Sequence, residues 1–140
     1  MSLVWNDAIV DRLVEAARNG VADGTTLIYE EVLHLTLDTQ KTGRVYRHKK
    51  LRGPHQASGP YEPFANETGN ALLKTKTSEE RSGLTGVISA NYYYAMPLEF
   101  GHINKAGKRV APRPVFRPAM KTQTKPVLDA IRSELIKVLK

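Results

Sequence analysis

NALLKTKTSEERSGLTGVISAN, residues 70–91, carries the clearest strand signal in the chain. Leu84, Gly86, Ile88 and Ala90 fall on one side and Thr85, Val87 and Ser89 on the other, the period-two pattern of a half-buried strand. Residues 70–77 alternate more weakly, with Lys74 and Lys76 on one side. The intervening residues 78–83 (SEERSG) are polar and end in glycine, as a hairpin loop does. This reading predicts an antiparallel pair, and the flanking sequence predicts helices.

Upstream, residues 4–18 place Ile9, Leu13 and Ala16 at helical spacing, with Asp7 near the start and Arg18 near the end, as the helix dipole favours. Gly20 and Gly24 then predict a break or weak point. Residues 25–38 are ambiguous: Ile28, Val32 and Leu35 keep the helical period, while Leu33, Leu35 and Leu37 alternate. Length and the central Glu30-Glu31 favour helix. Downstream, residues 92–100 (YYYAMPLEF) predict a short helix or turn ended by Gly101. Residues 103–110 carry a lysine-rich tip. Pro112, Pro114 and Pro118 then lead into a last helix, with Pro118 in its first turn. That helix sets Leu128, Ile131, Leu135 and Val138 on one face, and Pro126 is expected to kink or restart it.

Residues 41–69 differ in character, holding Gly43, Gly53, Pro54, Gly59, Pro60, Pro63 and Gly69. Only Val45-Tyr46 reads as strand. Fully extended, residues 51–68 would span about 60 Å at ~3.3 Å per residue. A run this long without a period is expected to be a functional arm or a disordered segment. The order helix, helix, arm, strands, helix gives an α+β class. The expectation is one domain over residues 1–140: a small antiparallel β-sheet packed against N-terminal and C-terminal helices, with a long extended central loop at about 41–69.

Composition narrows function mostly by exclusion. The 140 residues are 41% hydrophobic and 25% charged, too apolar for wholesale disorder. Cysteine is absent, which removes disulfide scaffolds, thiolate zinc sites and thiol catalysis. No apolar run approaches the ~20 residues of a membrane-spanning helix, and the first residues do not read as a signal peptide. The net charge is +7, and residues 41–52 (KTGRVYRHKKLR) hold six basic residues and no acid. A second basic cluster comprises Lys105, Lys108, Arg109, Arg113 and Arg117. Such clusters suit solvated loops, phosphate or an acidic protein neighbour.

No catalytic motif emerges. Glu99 and His102 have a ligand-like spacing, but Gly101 lies between them and no third ligand follows. His34 sits in an apolar pattern and His48 in a basic one. Phosphate-binding loops, nucleophile elbows and zinc-binding helices are all missing. The expectation is therefore no enzyme activity, cofactor, metal or small-molecule substrate. Tyr92-Tyr93-Tyr94 resembles a stacking platform but has no adjacent positive charge, so core or subunit-contact roles fit it better.

Thr42-Gly43-Arg44-Val45-Tyr46, then residues 55–60 (HQASGP), Glu62-Pro63, Ala65 and Thr68-Gly69, resemble the central loop of a tailed-phage family. These are the small minor-tail or head–tail joining (neck and tail-completion) proteins of siphophages and prophages. Tyr94-Ala95, Leu98-Glu99-Phe100-Gly101 and residues 112–119 (PRPVFRPA) are similar to the family's second signature. The Gly20–Gly24 interruption and Pro126 depart from its usual helical start and finish.

The resemblance implies a structural role in a ring at the head–tail junction or tail of a virion, built in the bacterial cytoplasm. Implied partners are further copies of the chain, other neck and tail proteins and, non-specifically, DNA in the channel; no membrane is involved. On that reading the arm offers Arg44, Tyr46, Arg47, Lys49, Lys50, Arg52, His55, Pro60 and Phe64 to neighbours. Tyr94, Glu99, Phe100, Gly101, Pro114, Phe116 and Pro118 form the packing and turn signature, with Phe100 and Phe116 as apolar anchors. A tail terminator is a variant of this reading. The alternative is a stand-alone basic nucleic-acid-binding module, whose affinity would fall steeply with salt.

Overall fold

The computed structural model describes residues 6–47, 53–66 and 68–140. Its elements, in chain order, are α1 (Asp7–Leu37), β1 (Val45–Arg47), β2 (Pro54–Gln56), α2 (Asn70–Leu73), β3 (Thr75–Glu80), β4 (Thr85–Ala90), α3 (Ala95–Phe100), β5 (His102–Ile103), β6 (Arg109–Val110) and α4 (Phe116–Leu139). The class is α+β, with the N- and C-terminal helices packed against small antiparallel sheets. The strands form three separate two-stranded ribbons, β1–β2, β3–β4 and β5–β6, where one sheet was expected.

Of the two readings of Gly20 and Gly24, a break does not occur, and one longer helix does: α1 runs unbroken for 31 residues. Each glycine costs a helix about 1 kcal/mol relative to alanine, so something must offset it. A Cβ on Gly20 would lie 2.6 Å from Ile131 Cα, and one on Gly24 would lie 2.8 Å from Val127 Cγ1. The glycines thus mark where α4 approaches α1 most closely. Ala16, Gly20, Gly24, Val32 and Thr36 make the buried stripe of α1. The antiparallel sense of the pair follows from its contacts, which set Gly20 against Ile131 and Glu31 against Thr122 and Gln123.

Helix α4 is continuous through Pro126. The proline removes one backbone donor, but Pro126 and Thr122 are both exposed, where water can take the freed carbonyl. Leu128, expected on the buried face, is 60% exposed, because the face meeting α1 runs through Ala119, Val127 and Ile131.

The hairpin read from residues 70–91 is present, paired Thr75↔Ala90 through Glu80↔Thr85. Its first strand starts later than expected. Gly69 adopts a left-handed φ of 74° and opens one helical turn, α2, that buries Ala71. Adjacent Leu72 and Leu73 break the alternation at this point. The turn is tighter than residues 78–83: Arg81, Ser82 and Gly83 take left-handed φ values, and Arg18 of α1 donates from Nε to the Ser82 carbonyl at 2.6 Å. The ribbon lies against α1 so closely that a Cβ on Gly86 would overlap Thr25 Oγ1.

The core gathers Val32, Phe64, Ala71, Tyr92, Val115 and Ala119, with Ile28, Leu35, Leu98 and Phe116 packed against it. The central segment is long and poor in regular structure, and its described residues divide between an exposed ribbon and a buried anchor. β1 and β2 pair antiparallel, Tyr46 opposite His55, and the chain turns back. Phe64, expected to reach a neighbour, is 6% exposed and packs edge-on against Tyr92 within the chain's own core. Burying its ring here gains apolar contact that a solvated arm lacks.

Candidate functional site

The two segments bearing the resemblance meet in space. Tyr61 donates its backbone N–H to the Pro112 carbonyl at 2.9 Å. Arg113 donates from Nε to the Ser58 carbonyl at 3.0 Å and from its backbone to the Leu98 carbonyl. Below this joint, the Tyr92 ring lies between Phe64, which meets it edge-on, and Tyr94, whose ring is tilted against it. Burial pushes the Tyr92 phenol up to about 12, with the neighbouring Tyr94 and Glu99 adding to the rise.

Glu99 is the centre of the second signature. Its carboxylate is buried and accepts backbone N–H groups from Val115 (2.8 Å), Phe116 (3.2 Å) and Arg117 (2.9 Å). These are orphan donors of the first turn of α4, whose N-cap, Val115, offers no side-chain acceptor. A carboxylate from α3 therefore caps a helix it does not belong to, at the positive end of that helix's dipole. Arg117 completes the clamp, its Nε 3.2 Å from Glu99 Oε1 and its Nη2 donating to the Glu99 carbonyl. The same guanidinium lies 4.8 Å from the centre of the Phe100 ring, a cation–π contact. Gly101 permits the turn: its φ is 76°, and a Cβ there would meet the Val110 carbonyl at 2.7 Å.

A second carboxylate secures the base of the β1–β2 ribbon. Glu62 accepts from Thr42 N–H (3.0 Å), from the Thr42 hydroxyl and from Gly59 N–H (2.7 Å). These hydrogen bonds, the hydroxyl first, hold its carboxyl below the usual glutamate range. Beside it, Lys41 Nζ donates to the Leu35 carbonyl (2.9 Å) and Thr39 Oγ1 (2.6 Å) at the end of α1. Partial burial lowers the Lys41 ammonium, against the opposing pull of Glu62.

Between the ribbon and the body opens a cleft of about 550 Å³, lined in part by Tyr46, His55, Ser58, Asn70, Tyr94 and Arg113. The Tyr46 and His55 rings meet edge-on at 5.5 Å on one wall. The other wall carries the Tyr93–Tyr94 pair, of which Tyr93 is 92% exposed.

The proposed arm residues therefore separate. Arg44, Tyr46, Arg47 and Pro60 are exposed, His55 is half-buried, and Phe64 is internal. Lys49, Lys50 and Arg52 lie outside the described residues. In the second signature, Tyr94, Pro114, Phe116 and Pro118 are half-buried and Glu99 is buried. Phe100 is 55% exposed, under the Arg117 guanidinium. Sequence reasoning missed the roles of Thr42, Glu62 and Arg113. One signal was available for Glu99: Pro114-Val115-Phe116 starts a helix with no Ser, Thr, Asp or Asn to cap it, so a foreign acceptor was needed.

Among the described residues, no three His, Asp or Glu converge as a metal site, and no helix is long and apolar enough to cross a membrane. In comparisons with known proteins, no family model, curated protein or solved structure matches this chain.

Proposed function

We propose that this chain is a structural protein of a phage or prophage head–tail junction, a neck or tail-completion component that joins a ring with further copies of itself. The β1–β2 ribbon would be its contact with adjoining neck and tail proteins. The reading rests on the two signature segments. The observation that supports it best is what their polar residues do. The buried Glu99 carboxylate is filled by three backbone N–H groups and the Arg117 guanidinium, and the partly exposed Glu62 accepts from Thr42 and Gly59; both are spent on holding shape. A buried carboxylate with its acceptor capacity filled is a structural group, unlike an acid or base poised for proton transfer.

In a phage encoding this chain, an early stop codon is expected to leave filled heads and detached tails in electron micrographs, with joining restored by the wild-type gene in trans. Fully joined, infectious particles without the protein would defeat the proposal. The nucleic-acid reading draws on the exposed Lys105, Lys108 and Arg109 of the β5–β6 ribbon. It expects tight DNA or RNA binding by the isolated protein that weakens by orders of magnitude between low and physiological salt. The neck reading expects weak, non-specific binding only.

A further inference from the structure

α1 and α4 lie side by side and antiparallel, and each keeps an outer face that no other described element covers. Those faces differ in chemistry. Over residues 116–139 there are five basic residues against two acids. On the helical period Lys121, Lys125, Leu128, Arg132, Ile136 and Leu139 share one side of α4. All six are exposed, so the face interleaves three cations with three large apolar side chains. Over residues 7–37 the balance reverses to six acids against two arginines. Glu15, Asp23 and Glu30 lie on the exposed side of α1, with Arg12 the one arginine in line with them. Glu15 pairs with Arg18, while among the described residues Asp23, Glu30, Lys121, Lys125 and Arg132 form no ion pair.

We infer that the outer face of α4 on one copy docks on the outer face of α1 on the next, head to tail. The occupant is a second copy of this chain for three reasons. The charges are complementary between the faces, whereas two α4 faces would set lysine and arginine against each other, at a cost. The lengths are comparable: Lys121 to Leu139 runs about 27 Å and Glu15 to Glu30 about 22 Å at 1.5 Å per residue. The three exposed apolar side chains also favour a protein surface over a phosphate backbone, which leaves them in water. Because the two faces are different surfaces of the chain, the contact is heterologous and repeats from copy to copy, closing where the rotation allows. The inference deepens the ring reading above by naming the surfaces that meet.

Charge reversal on either face tests it, with size-exclusion chromatography and light scattering as the readout. The wild-type protein is expected to run larger than a monomer at micromolar to tens-of-micromolar concentration, shifting to smaller species as salt rises. The variant Lys125→Glu/Arg132→Glu and the variant Asp23→Lys/Glu30→Lys are each expected to be monomeric. Mixed one to one, they should regain the larger species as alternating copies, because the wild-type α4 face of one meets the wild-type α1 face of the other and the two reversed faces complement each other in turn. A chain carrying all four reversals should regain the larger species. Circular dichroism of each variant separates loss of docking from loss of folding. The inference is overturned by a wild type that stays monomeric at hundreds of micromolar, by single-face variants that assemble as the wild type does, or by folded variants that do not pair on mixing. Failure here leaves the head–tail reading standing on its own genetic test, since a ring can form through other surfaces. Normal joining in the stop-codon phage would defeat that reading while leaving the docking result intact.

Discussion

At the scale of single residues, the most consequential group is the Glu99 carboxylate. It satisfies three buried or half-buried N–H donors at once. Glu99→Ala removes a helix cap and strands those donors, a loss on the order of 2–4 kcal/mol. Glu99→Gln keeps one acceptor oxygen and should lose less. Urea unfolding of the two variants measures both, and a change under about 0.5 kcal/mol for Glu99→Ala would show that the clamp is not formed. Phe64→Ala should cost about 3–4 kcal/mol by the same assay, because the ring is internal. Tyr92 makes a prediction in pH. Its folded value is raised to about 12 from an ordinary 10, so folding favours the neutral phenol. The stability this brings is complete below pH 10 and is lost as pH rises towards 12. Absorbance at the phenolate band should show one tyrosine titrating late, and Tyr92→Phe should abolish that late step.

At the scale of elements, the α1–α4 pair turns on two glycines. Gly20→Ala adds about 1 kcal/mol of helix propensity but places a methyl 2.6 Å from the backbone of Ile131, which cannot step aside. The clash outweighs the propensity, and a net destabilisation of about 1–3 kcal/mol is expected in thermal melts. A stabilised Gly20→Ala protein would mean that the helices pack less closely. The base of the β1–β2 ribbon carries its own pH dependence. Glu62 is held below its ordinary value of 4.5, so its anchoring of Thr42 and Gly59 is complete above that pH. It is lost as pH falls through the lowered folded value. Amide exchange at Gly43 and Ala57, which bond across the base of the ribbon, should accelerate in acid before α1 and α4 lose protection. In Glu62→Gln that selective acceleration should disappear.

At the scale of the whole molecule, internal and external surfaces make different demands on similar residues. Phe100 and Phe116 look alike in sequence, yet one is 55% exposed beneath Arg117 and the other packs against the core. Phe116→Ala should therefore lower stability, whereas Phe100→Ala should leave the melting temperature within about 2 °C. If the Glu-Phe-Gly turn bears on subunit packing, Phe100→Ala should reduce particle joining in phage complementation while the purified protein stays folded. An unfolded Phe100→Ala protein would assign that ring to the fold instead.

Local chemistry alone determined much of this. Period-two alternation located β4, helical spacing located most of α1 and α4, and a glycine able to take positive φ marked the end of α3 at Gly101. These features depend on neighbours a few residues away, which is why a single chain displays them. Tertiary structure decided the remainder. Gly20 and Gly24 break a helix in isolation and tighten one when α4 lies across them. Leu128 belongs to an apolar pattern but not to the face that α4 turns towards α1. Phe64 lies in a stretch with no period, and only its meeting with Tyr92, 28 residues away, makes it core. Glu99 carries no mark of burial until the start of α4 brings its unpaired donors to it. In each case the deciding partner is distant along the chain, and its contact energy exceeds the local preference that sequence periodicity records.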